Sequence, residues 1–260
     1  GSVPNPAKDT SMRKTETSPT VAYINGRIYT VDAQRPWAEA CLVVDGRFEA
    51  VGSTSEIQAV AGSAQVVDLG GRMVMPGIHD AHTHLLFSGL KHRVEARLAP
   101  EAQSEESVTR TLRSFCSCCD RGVLGLGRWI VGGDINPNLF PEGLDRKFLD
   151  KAFPDEPVYL FDYTQHHALV NSKALELAGI TASTPDPKGG KFMRRPGTNE
   201  PTGELVERAT WAARLAVPGY APHVCRQVLK WAMETSSTFG ITSVQEASAS
   251  RIQLDAMKAI

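Results

Sequence analysis

The chain has 260 residues, of which 42% are hydrophobic and 22% charged, with a formal net charge of −1. That composition is typical of soluble globular proteins, and the length allows one or two domains. It offers no basic face to nucleic acid or to an anionic membrane, and no apolar run approaches the roughly 20 residues of a membrane-spanning helix.

The 5 cysteines are odd in number and unevenly placed. They fit a reducing compartment better than a disulfide framework, so a cytoplasmic location is expected. Residues 1–19 are polar and lack the apolar stretch of a signal peptide. Gly1-Ser2 resembles an expression scar, behind which a removed leader would be invisible. Without periodicity, residues 1–19 are expected to be disordered.

Residues 20–75 read as an all-β unit. Asn25-Gly26 and Asp45-Gly46 each stand between two β-rich runs, 21–24 with 27–31 and 41–44 with 47–51. Both dipeptides suit type I′ turns and predict hairpins. A short helix over 55–60 and a strand over 64–69 follow. Short strands at this spacing suggest a β-sandwich module.

Residues 73–84 read as an apolar strand, a break at Pro76-Gly77, and a second strand ending in His82-Thr83-His84. Alternation along a strand puts His82 and His84 on one face, with Asp80 just below them. Two imidazoles on rigid backbone are half of a metal site. A carboxylate at Asp80 could fix a histidine tautomer from behind. An accidental His-x-His is the rival reading, and the strand-break-strand context weighs against it.

Beyond His84 helices and strands alternate. A helix is predicted over 104–120, capped by Ser104, favoured by Glu105 and Glu106, and ended by Gly122. Its apolar stripe is Val108, Leu112, Phe115, Cys116 and Cys119. Cys116, Cys118 and Cys119 could be a thiol cluster, but two lie on that stripe and no partner pair stands at zinc spacing, so they read as core. Then come a helix over 144–153, a strand over 157–161, a helix over 172–178, and a Pro- and Gly-rich surface loop over 184–203. A helix over 224–239 turns Val228, Trp231 and Ala232 inward, and a strand over 241–244 and a helix over 251–260 close the chain. The alternation predicts an α/β fold that opens a (β/α)8 barrel, with chemistry at the C-terminal ends of its strands.

Pro76-Gly77-Ile78-His79-Asp80-Ala81-His82-Thr83-His84 resembles the first metal motif of the metal-dependent amidohydrolase superfamily. The segments at 166–175 (from His166-His167), 184–190, 200–205 and 240–244 resemble the branch that includes N-substituted formamide deformylase. The resemblance covers about residues 20–250. It implies a β-sandwich over 20–75 and the start of a metal-dependent barrel over 76–260. An α/β insertion over about 88–225 would cover the site, with 129–206 as its lid and 185–197 as a mobile loop. His82 and His84 match the family's first two metal ligands. His166 matches a histidine that faces the substrate, and His167 could take its place, because the family's usual Asp-Gly before it is replaced by Thr164-Gln165.

The resemblance further implies one or two divalent metals, most often zinc, and a metal-activated water that hydrolyses an amide-like, non-peptide C–N bond of a small molecule. Family members are much longer than this chain. The general base is therefore expected beyond Ile260, with the other half of the barrel on the same or another chain, or in a homodimer. The rival function is an inactive binding or scaffold protein on the same fold.

Overall fold

The structure is a computed structural model that describes residues 19–99, 101–118 and 120–260. The disorder expected of residues 1–19 therefore concerns residues that, Pro19 apart, lie outside the described set. Cys119, and the side chain of Cys118, lie outside it too. The chain divides between Ile78 and His79 into two compact units.

The first unit holds strands β1 (Val21–Ile24), β2 (Arg27–Tyr29), β3 (Trp37–Ala38), β4 (Ala40–Val44) and β5 (Arg47–Gly52), then helix α1 (Thr54–Val60) and strands β6 (Gln65–Asp68) and β7 (Met73–Val74). They form two sheets, of order β5-β4-β1-β6 and β3-β2-β7. Asp45-Gly46 makes the expected hairpin between β4 and β5, with both residues at positive φ (48° and 74°). Asn25-Gly26 does not. β1 pairs with β4 and β6, whereas β2 pairs with β3 and β7. The dipeptide passes the chain from one sheet to the other, and Asn25, at φ 54°, is tied by its Nδ2 to Asp68 Oδ2 at 3.1 Å. Ala22, Ile24, Ala40 and Leu42 bury one sheet face together with Ile57 of α1. Ser53 starts α1 with a reciprocal capping box to Glu56.

The division falls within the first residues of β8 (Ile78–Thr83), and the second unit goes on to α2 (Leu85–Arg93). It continues through β9 (Ala96–Arg97), α3 (Glu105–Cys118), α4 (Arg121–Leu124), β10 (Ile130–Ile135), α5 (Lys147–Ala152), β11 (Val158–Asp162) and β12 (His167–Val170). Then come α6 (Ser172–Leu177), β13 (Gly190–Arg194), β14 (Pro201–Glu207), α7 (Arg208–Arg214), α8 (Pro222–Thr238), β15 (Ile241–Glu246) and α9 (Arg251–Lys258).

Strands β9 to β14 form one mixed sheet of order β13-β14-β12-β11-β10-β9, parallel across β9, β10 and β11 and antiparallel beyond. Every residue of β10 is buried, as in a sheet covered on both faces. Alternate residues serve two cores. Val131, Tyr159, Ala168 and Val170 pack with Leu86 and Leu90 of α2, Ala209 of α7 and Val228 of α8. Ile130, Leu160 and Leu169 pack with Val108 and Leu112 of α3 and Leu149 of α5. Gly89 lets α2 and α8 approach closely, because a methyl group there would lie 2.3 Å from Val228 Cγ1.

Several expectations are corrected. Helix α3 stops at Cys118, and Gly122 lies inside the separate α4, which Asp120 caps through the Gly122 and Val123 N–H groups. Residues 184–203 are not a plain loop. They contain β13 and the start of β14, an antiparallel pair in which Phe192 is buried against Leu205. Asp186 accepts hydrogen bonds from Phe192 N and Arg194 Nη1, and these close the stretch into a hairpin.

Strands β8 and β15 form a small sheet of their own. His79 Nδ1 meets Ser243 Oγ at 2.5 Å, and Ala247 N donates to Thr83 O at 2.9 Å. The contacts advance together along both strands, which is the pattern of a parallel pair. Both strands are largely exposed, unlike β10.

Candidate metal centre

Strand β8 carries His82 at its exposed C-terminal end. The strand stops at Thr83, one residue earlier than expected, and His84 is the N-cap residue of α2 (φ −130°, ψ 68°). The strand cannot continue because Leu85 opens the helix, and its side chain and those of Leu86 and Leu90 are buried. The two imidazoles still end on the same side. Their ring centroids are 5.2 Å apart and their planes stand at 87°. Both residues are exposed.

Asp80 does not do what its position on the strand suggested. Its Oδ1 accepts from the backbone N–H of His82 at 3.1 Å, so it braces the main chain of that residue and not its ring. The carboxylate beside an imidazole is instead Glu246, at the end of β15. Its Oε1 lies 3.3 Å from His84 Nδ1, and its Oε2 accepts from Leu85 N at 2.9 Å. Sequence reading missed Glu246. It stands 162 residues from His84, and an acidic residue ending a short strand has no signature of its own.

His167 opens β12 and His166 stands just before it, and each faces a glutamate of β14. His166 Nδ1 lies 3.1 Å from Glu207, and His167 Nδ1 lies 3.1 Å from Glu204 Oε1. The hydrogen bond and charge of Glu207 hold the His166 imidazole above its ordinary pKa. Gln165 takes φ 66°, the left-handed backbone that glycine adopts freely. The turn around it is built by Asp162, whose Oδ2 accepts from Thr164 N and Oγ1 and whose Oδ1 accepts from His167 N. Thus Thr164-Gln165 make the turn with the carboxylate supplied from two residues earlier.

Among the described residues no hydrogen bond or ring contact joins His82 or His84 to His166 or His167. The two pairs are linked through α2. Phe87, three residues after His84, packs edge-on against Phe161 of β11 at 6.2 Å. A small cavity of about 10 Å3 lies there, lined by Phe87, Lys91, Glu95, Asp134, Asp162 and Gln165. Lys91 and Arg97 neutralise the buried Asp134, at 2.5 and 3.5 Å.

The sequence profile of the amidohydrolase family matches residues 65–260. The chain belongs to the amidohydrolase family. Among its relatives, Protein LONG AFTER FAR-RED 3 of Arabidopsis thaliana is 33% identical over 224 residues, which is 85% of this chain and 37% of that one. N-substituted formamide deformylase of Arthrobacter pascens is 35% identical over 190 residues, 72% of this chain and 34% of that one. This amidohydrolase chain therefore spans little more than a third of those relatives' length. An uncharacterized metal-dependent hydrolase from Pyrococcus furiosus shares the fold, with a TM-score of 0.67 and 24% identity over 92% of this chain and 47% of that one.

Within the amidohydrolase family, two side chains of this chain could hold a metal, those of His82 and His84. The His82 and His84 rings are exposed, adjacent and held at a strand end, which suits imidazole ligation. Among the described residues no group of three or more His, Cys, Asp or Glu is arranged to hold an ion. Among them, too, no helix is long and apolar enough to cross a membrane.

Proposed function

We propose that this chain is part of a metal-dependent hydrolase that cleaves an amide-like, non-peptide C–N bond of a small molecule. The observation that carries the reading is the pair of exposed imidazoles, 5.2 Å apart, at the end of β8. Its likeness to N-substituted formamide deformylase supports the bond type. A bound divalent metal, most simply zinc and one or two ions, would lower the pKa of its water from about 15.7 toward about 7 and polarise a carbonyl oxygen.

The chain's own residues then have distinct tasks. His82 and His84 donate ring nitrogens to the metal. Asp80 fixes the backbone of His82. His166 and His167, paired with Glu207 and Glu204, offer hydrogen bonds to the substrate from the N-terminal end of β12. That sheet is the α/β insertion of this reading, placed as a lid. The first unit, with its two sheets, is the β-sandwich module, and β8 with β15 is the start of the barrel. The open, exposed β8–β15 sheet supports completion by further strands, of the same or another chain, that bring the remaining ligands and the general base.

The test is hydrolysis of N-substituted formamides by the full-length protein. Activity is expected in the parent and is expected to fall by at least about 100-fold in His82→Ala and in His84→Ala, each of which removes a ligand. Turnover unchanged in both variants would refute the assignment.

A further inference from the structure

We infer that Glu246 is the positioning residue that presents His84 to the metal. The inference rests on the reading of His84 as a ligand and adds to it the group that orients its ring.

The Glu246 side chain is only 9% exposed, although it stands beside an exposed imidazole. Both of its oxygens are engaged. Oε1 accepts from Ser248 N at 3.1 Å and lies 3.3 Å from His84 Nδ1. Oε2 accepts from Leu85 N at 2.9 Å and from Gln253 Nε2. Gln253 is itself buried on α9, so the carboxylate is gripped by the turn after β15, by α9 and by the first turn of α2 together. Two of these donors are backbone groups that cannot turn away, so Glu246 has no free oxygen to serve as a third metal ligand.

The consequence for His84 follows from what a carboxylate can accept. An ionised carboxylate has no proton to give, so a ring nitrogen facing it must be the donor. His84 Nδ1 then carries the hydrogen, and the lone pair of Nε2 is left free to bind a metal. The same carboxylate holds the N–H of the next residue, Leu85, so ring and main chain are fixed from one point. Strand pairing delivers it there, since Ala247 N donates to Thr83 O one residue beyond Glu246 and one before His84.

The test uses the full-length protein. The first measurement is the 15N spectrum of the imidazoles in the metal-free form, at alkaline pH where an ordinary imidazole is neutral. His84 is expected with the proton on Nδ1. The second is zinc affinity by competition with a chelator. Glu246→Ala and Glu246→Gln are expected to bind zinc roughly 10- to 100-fold more weakly, and Glu246→Gln, which turns an N–H group toward one of these donors, is expected to populate the Nε2–H form. A residue that merely caps α2 would lower the melting temperature without moving the tautomer. A His84 proton on Nε2 in the parent, or unchanged zinc affinity in both variants, overturns the inference. If a variant fails to fold, the parent's spectrum decides alone. His82→Ala and His84→Ala run alongside. If they too leave zinc affinity unchanged, the metal centre itself is refuted; if they weaken it and the Glu246 variants do not, only the role of Glu246 falls.

Discussion

Arg195 holds Asp145 with a two-pronged hydrogen bond, Nε to Oδ2 at 2.8 Å and Nη2 to Oδ1 at 2.9 Å. The two residues are 50 positions apart, one just after β13 and the other just before α5. Glu200 joins them, accepting from Arg146 Nη2 at 2.9 Å and pairing with Arg195. This network fastens the hairpin of β13 and β14 to the body of the mixed sheet.

Loss of the fork should be felt in stability. Arg195→Ala is expected to cost about 1–2 kcal/mol, between an exposed pair and a fully buried one. Arg195→Lys should recover little of it, because an ammonium cannot make both bonds. Partial burial pushes the Asp145 carboxyl up, but the Arg195 hydrogen bonds, the Lys147 N–H and the two nearby cations outweigh it, so its pKa is lowered. The contribution is therefore present above the unfolded carboxyl's pKa and is lost as the pH falls through the folded one. Denaturant titration at neutral and acid pH checks both statements. An Arg195→Ala loss that does not shrink in acid would contradict them.

Gly203 sits where β14 passes Val170 and Arg146. Its φ is 92°, and a methyl group there would lie 2.2 Å from Val170 O and 2.7 Å from Arg146 Cβ. Gly197 has a similar φ, 72°, but open space around it. Gly203→Ala should therefore destabilise by more than ~2 kcal/mol, and Gly197→Ala by only ~1 kcal/mol. Melting curves of the two variants compare strain alone with strain plus collision, and equal losses would contradict the packing described.

Glu95 is half-buried between α2 and β9 and accepts from Tyr220 Oη at 2.7 Å. Burial pushes its carboxyl up, against the Tyr220 hydrogen bond and the charges of Arg214 and Lys91, which pull it down. Below the ordinary glutamate value of 4.5 both folded and unfolded states hold the proton. Above it the unfolded state ionises first, so the parent loses stability as the pH rises until the folded carboxyl ionises too. Glu95→Gln removes that loss and keeps an acceptor for Tyr220. Its melting temperature is expected to gain on the parent as the pH rises above about 4.5. A gap that stays constant with pH would contradict the assignment.

The sequence was legible where the signal is local. Asp45-Gly46 encodes its own turn, and His-x-His at a strand end needs only neighbouring residues. Asn25-Gly26 carries the same turn chemistry as Asp45-Gly46, yet β1 and β2 go to different sheets, because other strands compete for them, β4 and β6 for β1 and β3 and β7 for β2. The strand Gly190–Arg194 was missed for a related reason. Only Phe192 in it is buried, so no alternation shows, and its shape depends on Asp186, Thr184 and β14. Glu246 was hidden because strand pairing, not sequence, brings it to His84.

The most direct test of the metal centre is zinc content by elemental analysis of the purified full-length protein beside His82→Ala and His84→Ala. The expected result is about one or two ions per chain in the parent, with loss of bound zinc and an intact fold by circular dichroism in each variant. Equal zinc in the parent and both variants would contradict the placing of the centre on His82 and His84.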